Sequence, residues 1–452
     1  MEYDFSELPV ELQRLYLLKL PVPDIANYCA VNPSVHKICV DDYFWLLKVE
    51  HDFPGIAKPT GDARIFGISQ YKPENITYQQ QFLDLLRITD PHDAAKEGRL
   101  DILIYLDSLG KLPNRESDTA ENGHLDVLKW LKTKGIYFIR EIIRGASSGG
   151  HINILEWVGA EGIPYYQYGA NEAARNGHIN VLDWYEARGV RPYSYGINSP
   201  AETGHINVLD WLEQRDLFPD EEGANRAAKN GHINVLNWLE QRDIFPTEEG
   251  ATLAAKNGHI NVLNRLEQRH IFPNTEGANL AARKGRINVL NWLEQRHIFP
   301  NTKGANLAAK YGHINVLNWL EQRNIFPNTE GANFAIRKKN KGESVYGSSL
   351  DVLTWLYSKH IYPDTDGIYI AASIGAVEIL NWIEAHGLLD IKDIHYISDI
   401  LSVAVSHNHI NVLEWLAARG IFPNQETANM AAAYKKIQAL EWLASRGIFP
   451  NK

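Results

Sequence analysis

From about residue 90 onward the chain repeats one pattern of hydrophobic and polar positions. An apolar run such as Ile206, Val208, Leu209, Trp211 and Leu212 gives way to a polar turn, then to a small-residue run such as Gly223, Ala224, Ala227 and Ala228. The cycle returns after 27 residues in most copies, as between Trp184 and Trp211. At about 100° per residue the first run covers most of a helix circumference, leaving a narrow polar strip of Asn207, Asp210 and Gln214. Such a helix has to be covered on several sides. The pattern predicts two helices per copy, over 206–215 and 223–230 in this one, with the first the longer. Gly204, Gly231, Gly258, Gly285 and Gly312 stand where the small-residue helix ends, the position at which a left-handed residue favours glycine. Pro219, Pro246, Pro273, Pro300 and Pro327 follow the other helix, which proline cannot continue. Self-similarity at this period predicts an all-α solenoid stabilised by contacts between neighbouring copies. Thirteen copies are read, with helices starting at Leu100, Leu125, Ile152, Ile179, Ile206, Ile233, Ile260, Ile287, Ile314, Leu350, Val377, Ile410 and Ile437.

Composition changes this picture in three places. Hydrophobic content of 44% with 22% charged residues is ordinary for a folded chain. The net charge of −10 argues against a phosphate-backbone binder, so no nucleic-acid partner is expected. Two cysteines, Cys29 and Cys39, are too few for a disulfide framework and suit a reducing compartment. No apolar run reaches the ~20 residues of a membrane span, and the acidic start, interrupted by Pro9, is no secretory signal. Cytoplasm is therefore the expected location, with the nucleus as the second choice. Of the 12 tryptophans, all but Trp45 fall at one position of the repeat, which marks them as core residues and not as a stacking platform for single strands. Arg265 interrupts that series.

The string A-A-x-x-G-H-x-x-V-L resembles the ankyrin repeat, and more closely the shortened ankyrin-like repeats of large DNA viruses and some protists. E-G-A-N stands where ankyrin repeats carry T-P-L-H, so the resemblance implies the helix pair without the usual projecting finger. It spans the solenoid domain expected over residues 89–452.

Residues 1–88 lack the repeat and read as a separate helical domain, with helices over 9–20, 24–31, 35–50 and 78–87. Leu8-Pro9-Val10-Glu11-Leu12, followed by Leu20-Pro21-Val22-Pro23-Asp24-Ile25 and then by Cys39 to Trp45, resembles an F-box. That resemblance implies docking on a Skp-type linker through Leu8, Pro9, Leu12, Leu20, Pro21 and Ile25.

No P-loop, nucleophile elbow or zinc-protease motif is present, so no catalytic residues and no cofactor are expected. Histidines recur at one position, yet each lies on the order of 10 Å from the next if helices stack at ordinary spacing, too far apart to share a metal. They read as hydrogen bonders between repeats. Target contacts are expected from Arg226, Tyr311 and Phe334, where copies differ, and from Arg337, Lys338 and Lys339 in an insertion that lengthens one period from 27 to 36 residues. Together these readings imply a monomeric protein–protein adaptor that recruits a target to a Skp–cullin ubiquitin ligase. A scaffold or host-protein decoy and a virion component are the alternatives.

Overall fold

The computed structural model describes residues 8–31, 33–53, 75–162, 167–336, 347–389 and 394–451. All regular structure among them is helical, and successive helices pack in chain order as a helical-repeat solenoid. None of these helices is long and apolar enough to cross a membrane. The chain divides into two compact units, Met1–Pro200 with Asn207–Phe218, and Ala201–Ile206 with Pro219–Lys452.

The first unit opens with helices Val10–Leu18, Val22–Val31, Pro33–Cys39 and Asp42–Asp52. The single helix expected over 35–50 is two, because the Asp41 carboxylate accepts the Tyr43 N–H and caps a new start. Leu17, Ile25, Val35, Phe44, Trp45 and Val49 form a core that continues without a break through Phe82, Leu85 and Ile88 into Leu100, Ile102 and Leu103. Helix Tyr78–Arg87 is thereby part of the packing of the first repeat. Its polar side is fixed as well: Arg99 forks onto Asp101 at 3.0 and 2.9 Å and also pairs with Asp84, while Gln81 donates to Asp101 at 2.7 Å. The Cys29 and Cys39 sulfurs are joined as a single disulfide, with Cα atoms 6.2 Å apart, a bond that the reading of a reducing compartment did not foresee. The ten-residue separation hides this, because the corner between two helices brings the residues together.

The second unit shows the repeat most regularly. Helices Ile233–Glu240, Ile260–Glu267, Ile287–Glu294 and Ile314–Glu321 carry the tryptophan position. They alternate with alanine-rich helices Glu221–Asn230, Glu248–Asn257, Thr275–Arg283, Thr302–Lys310 and Thr329–Ile336. The tryptophan helices begin where the pattern places them but run only eight residues, so they are the shorter of each pair. A left-handed residue ends the turn that follows them: Asp243, His270, His297 and Asn324 have φ near +56°. Such a conformation costs a side-chain-bearing residue about 1–2 kcal/mol. Three of the alanine helices start on a side-chain cap, with Asp220 accepting from Glu222 and Gly223, Asn274 from Gly277 and Asn301 from Lys303. The first four end at or just before the expected glycines, of which Gly231 has φ +82° and leaves room for His259, whose Nδ1 a Cβ there would approach to 2.6 Å.

Candidate recognition surface

Three sets of contacts recur between neighbouring repeats, and together they determine which side chains remain available. The first centres on tryptophan. Trp292 donates its indole N–H to Asn264 at 2.6 Å, and Trp319 donates to Asn291 at 2.7 Å; Trp211 does the same to Asp183 in the first unit. The arginine four residues on lies over the same ring, 3.7 Å from its centroid for Arg296 and Arg323. That arginine also forks onto a glutamate of the preceding repeat, as Arg323 does onto Glu294 at 2.8 and 2.6 Å. Indole, guanidinium and carboxylate thus form one staple across these seams. The polar strip of the tryptophan helix is consequently in use, since its Asn or Asp accepts from the next indole.

A buried asparagine supplies the second set. Asn306 accepts the N–H of Asn328 at 3.0 Å and donates to its side chain at 2.8 Å, holding the residue that precedes the next alanine helix. Asn225 and Asn279 accept from Thr247 and Asn301 in the same way. Histidine supplies the third set, with Nε2 of His151, His178, His232 and His313 each within 3.0 Å of a backbone carbonyl one repeat earlier. Among the described residues no cluster of His, Cys, Asp and Glu is arranged to hold a metal ion.

Arg265 breaks the staple. In place of an indole, its guanidinium pairs with Glu240, which Arg269 also holds, through Nε at 2.9 Å among other contacts. Arg269, lacking a tryptophan, lies over Phe245 at 4.4 Å, and Nε of Arg265 is buried without a partner. Restoring the ring should therefore stabilise the unit. Arg265→Trp would place an indole 28 residues after Asn237 and four before Arg269, and a gain of about 1–2 kcal/mol is expected from one hydrogen bond and one cation–π contact. Urea denaturation of the two chains measures it; an unchanged or lower midpoint would count against the staple.

The same seam carries a pH dependence. Hydrogen bonding from Arg269, aided by the charge of Arg265, holds the Glu240 carboxyl below its ordinary range despite some burial. A depressed carboxylate contributes stability that is present above its unfolded value and lost as pH falls through the folded one. Glu240→Gln should accordingly flatten the acid side of the stability profile below about pH 4–5 while leaving its neutral shape alone. Melting temperatures across that range test the sign.

With staples, asparagines and histidines committed to the seams, the partly exposed positions of the alanine helices remain. Leu253, Leu280, Leu307 and Phe334 share one register there and are half-buried, and Lys256, Arg283 and Lys310 share another three residues later. The residues expected to contact a target divide. Arg226 is engaged within the fold, bonded to Glu222 at 2.7 Å and Glu202 at 3.2 Å. Tyr311 accepts from Arg283 at 2.9 Å, and Phe334 lies beneath Lys310 at 5.0 Å from its centroid. Arg337, Lys338 and Lys339 fall outside the described residues. In the first unit Pro9, Leu12 and Pro21 are exposed, Leu8 and Leu20 are half-buried, and Ile25 is 1% exposed. Ile25 is thus a core residue and corrects its place in the docking set. Leu15, 56% exposed, and Tyr16 extend the row begun by Leu12 along the same helix face, and the F-box resemblance does not single them out.

No family model matches the sequence, and no curated protein matches it. Among solved structures, the chain is similar to the pentatricopeptide repeat protein PPR10 in complex with an 18-nt psaJ RNA element, at 14% identity and a TM-score of 0.37, covering 96% of this chain and 67% of that one. A cysteine-to-serine variant of the same complex matches with the same figures. The pentatricopeptide repeat protein PPR10 from maize matches at 14% identity and a TM-score of 0.32, over 99% of this chain and 74% of that one. Two of these three structures contain RNA, against the expectation of no nucleic-acid partner, which is not kept. That expectation rested on a whole-chain charge, and such a sum does not describe one face of an array on which Lys256, Arg283, Lys284 and Lys310 gather.

Proposed function

We propose that this protein is a non-catalytic recognition protein whose alanine-helix face binds a macromolecular partner, on an array of about thirteen ankyrin-like units. The observation that carries this reading is the division of labour in each repeat. Seam contacts consume the tryptophan helix, whereas the half-buried apolar and cationic positions of the alanine helix are spent on no seam of comparable regularity. A photo-crosslinking residue at Leu307 tests it against one at Gln322, an exposed position at the end of a tryptophan helix. Adducts from cell extract at Leu307 and none at Gln322 are expected. Equal labelling, or none at either, would end the reading.

A finer reading makes the protein a recruiter for a Skp–cullin ubiquitin ligase. The F-box resemblance supports it, together with the exposed row of Leu12, Leu15 and Tyr16 on helix Val10–Leu18. The full chain should capture a purified Skp-type linker, and Leu12→Asp with Leu15→Asp should abolish capture, since both side chains face solvent. Failure of the unaltered chain to capture the linker would remove the ligase role and leave the recognition surface standing.

A further inference from the structure

We propose that the alanine-helix face of the second unit takes an extended, acidic segment of a partner protein, with an apolar residue at every third position. This rests on the recognition reading above. Leu253, Leu280 and Leu307 occupy equivalent places and Phe334 continues them, each half-buried between alanines that are fully buried. Three residues on, Lys256, Arg283 and Lys310, also half-buried, share a second row on the same helices, the spacing at which helical side chains are neighbours.

The charge of this row differs from that beside the tryptophan rings. Cations of the tryptophan helices, such as Arg296 and Arg323, are each matched to a glutamate of the preceding repeat. Lys256, Arg283 and Lys310 have no carboxylate partner among the described residues. Arg283 bonds the Tyr311 hydroxyl and lies over its ring, and Lys310 lies over Tyr311 and Phe334. In a chain of net charge −10, cations left unmatched in register complement an acidic ligand.

The repeat also sets the form of that ligand. Consecutive alanine helices pack against one another, and packed helices lie about 8–10 Å apart. A polyproline-II segment rises about 3.1 Å per residue with three residues per turn, so it advances roughly 9 Å while returning to the same face. One turn therefore matches one repeat, with its apolar residue on the leucine row and its acid on the cation row. Repeats that read RNA bases do so with side chains that reach the base edges. Leucine and phenylalanine offer no hydrogen bond to such an edge, which favours a protein segment here.

The test uses the full chain and a fluorescein-labelled peptide of four Leu-Pro-Glu triplets, followed by anisotropy. Saturable binding is expected, weakened at least tenfold by scrambling the sequence or replacing Glu with Lys in the peptide. Lys256→Glu with Lys310→Glu, and separately Leu280→Ser with Leu307→Ser, should weaken it similarly while circular dichroism shows the fold retained. Equal binding of the scrambled peptide would overturn the proposal. So would tighter binding of a 12-nucleotide oligouridine that the same charge reversals abolish, which would make the face a nucleic-acid site. If crosslinked adducts form at Leu307 yet the triplet peptide fails, only this inference falls; without adducts the recognition reading falls as well.

Discussion

Trp319→Ala is expected to destabilise the second unit by about 3–5 kcal/mol, the range for emptying an aromatic core position. The ring is 7% exposed, so nearly all of its area is withdrawn from water. Its loss also undoes a set of coupled contacts. Asn291 loses the indole donor, and the Arg323 guanidinium loses the ring it lies over, 3.7 Å from the centroid, while it forks onto Glu294. Trp319→Phe separates the two effects, since it keeps most of the area and forfeits the hydrogen bond, at about 1 kcal/mol. Because repeats are stabilised by their neighbours, the alanine variant should also split one urea transition into two. A shift below ~1 kcal/mol would mean that the seam is held elsewhere.

Arg99→Ala should cost the first unit a comparable 3–5 kcal/mol, the usual price of removing one partner from a buried ion pair. Arg99 is 6% exposed and stands between Asp84 and Asp101. Burial opposes its charge, but hydrogen bonds and attraction from Asp101 and Asp84 outweigh that and raise its pKa. Without it, two buried carboxylates would face each other, and helix Tyr78–Arg87 would lose its polar attachment to the first repeat. Arg99→Lys should rescue only part, because an ammonium cannot fork onto Asp101 as the guanidinium does. Faster backbone exchange in helix Tyr78–Arg87 is the accompanying sign. A neutral melting shift for Arg99→Ala would show that the hydrophobic continuity through Phe82 and Ile88 suffices.

Helix positions in the repeats were legible because the apolar period is regular, and starts such as Ile233 and Ile287 fall where it places them. Helix lengths were less so: the tryptophan helices stop at Glu240 or Glu294, before a left-handed turn that hydrophobicity does not encode. The staple was hidden for another reason. Arg323 and Glu294 lie 29 residues apart, and only the stacking distance shows that their heads meet. In the N-terminal segment a motif resemblance gives spacing and no face, so Ile25 was grouped with exposed residues although its helix turns it into the core. The alanine-helix surface was half visible. Variation between copies pointed to Arg226, Tyr311 and Phe334, while the repeated leucines beside them were uniform and drew no attention.

Helices Ile233–Glu240, Ile287–Glu294 and Ile314–Glu321 have the same eight-residue sequence, INVLNWLE. During folding, therefore, a half-formed helix pair meets several equally acceptable neighbours, and a mispaired seam can be as well bonded as the correct one. Helix Ile260–Glu267 differs from them by one residue, Arg265. The seam it forms with Glu240 is bonded differently from its neighbours and cannot be exchanged for any of them, and so it gives an otherwise uniform array a fixed point from which to count.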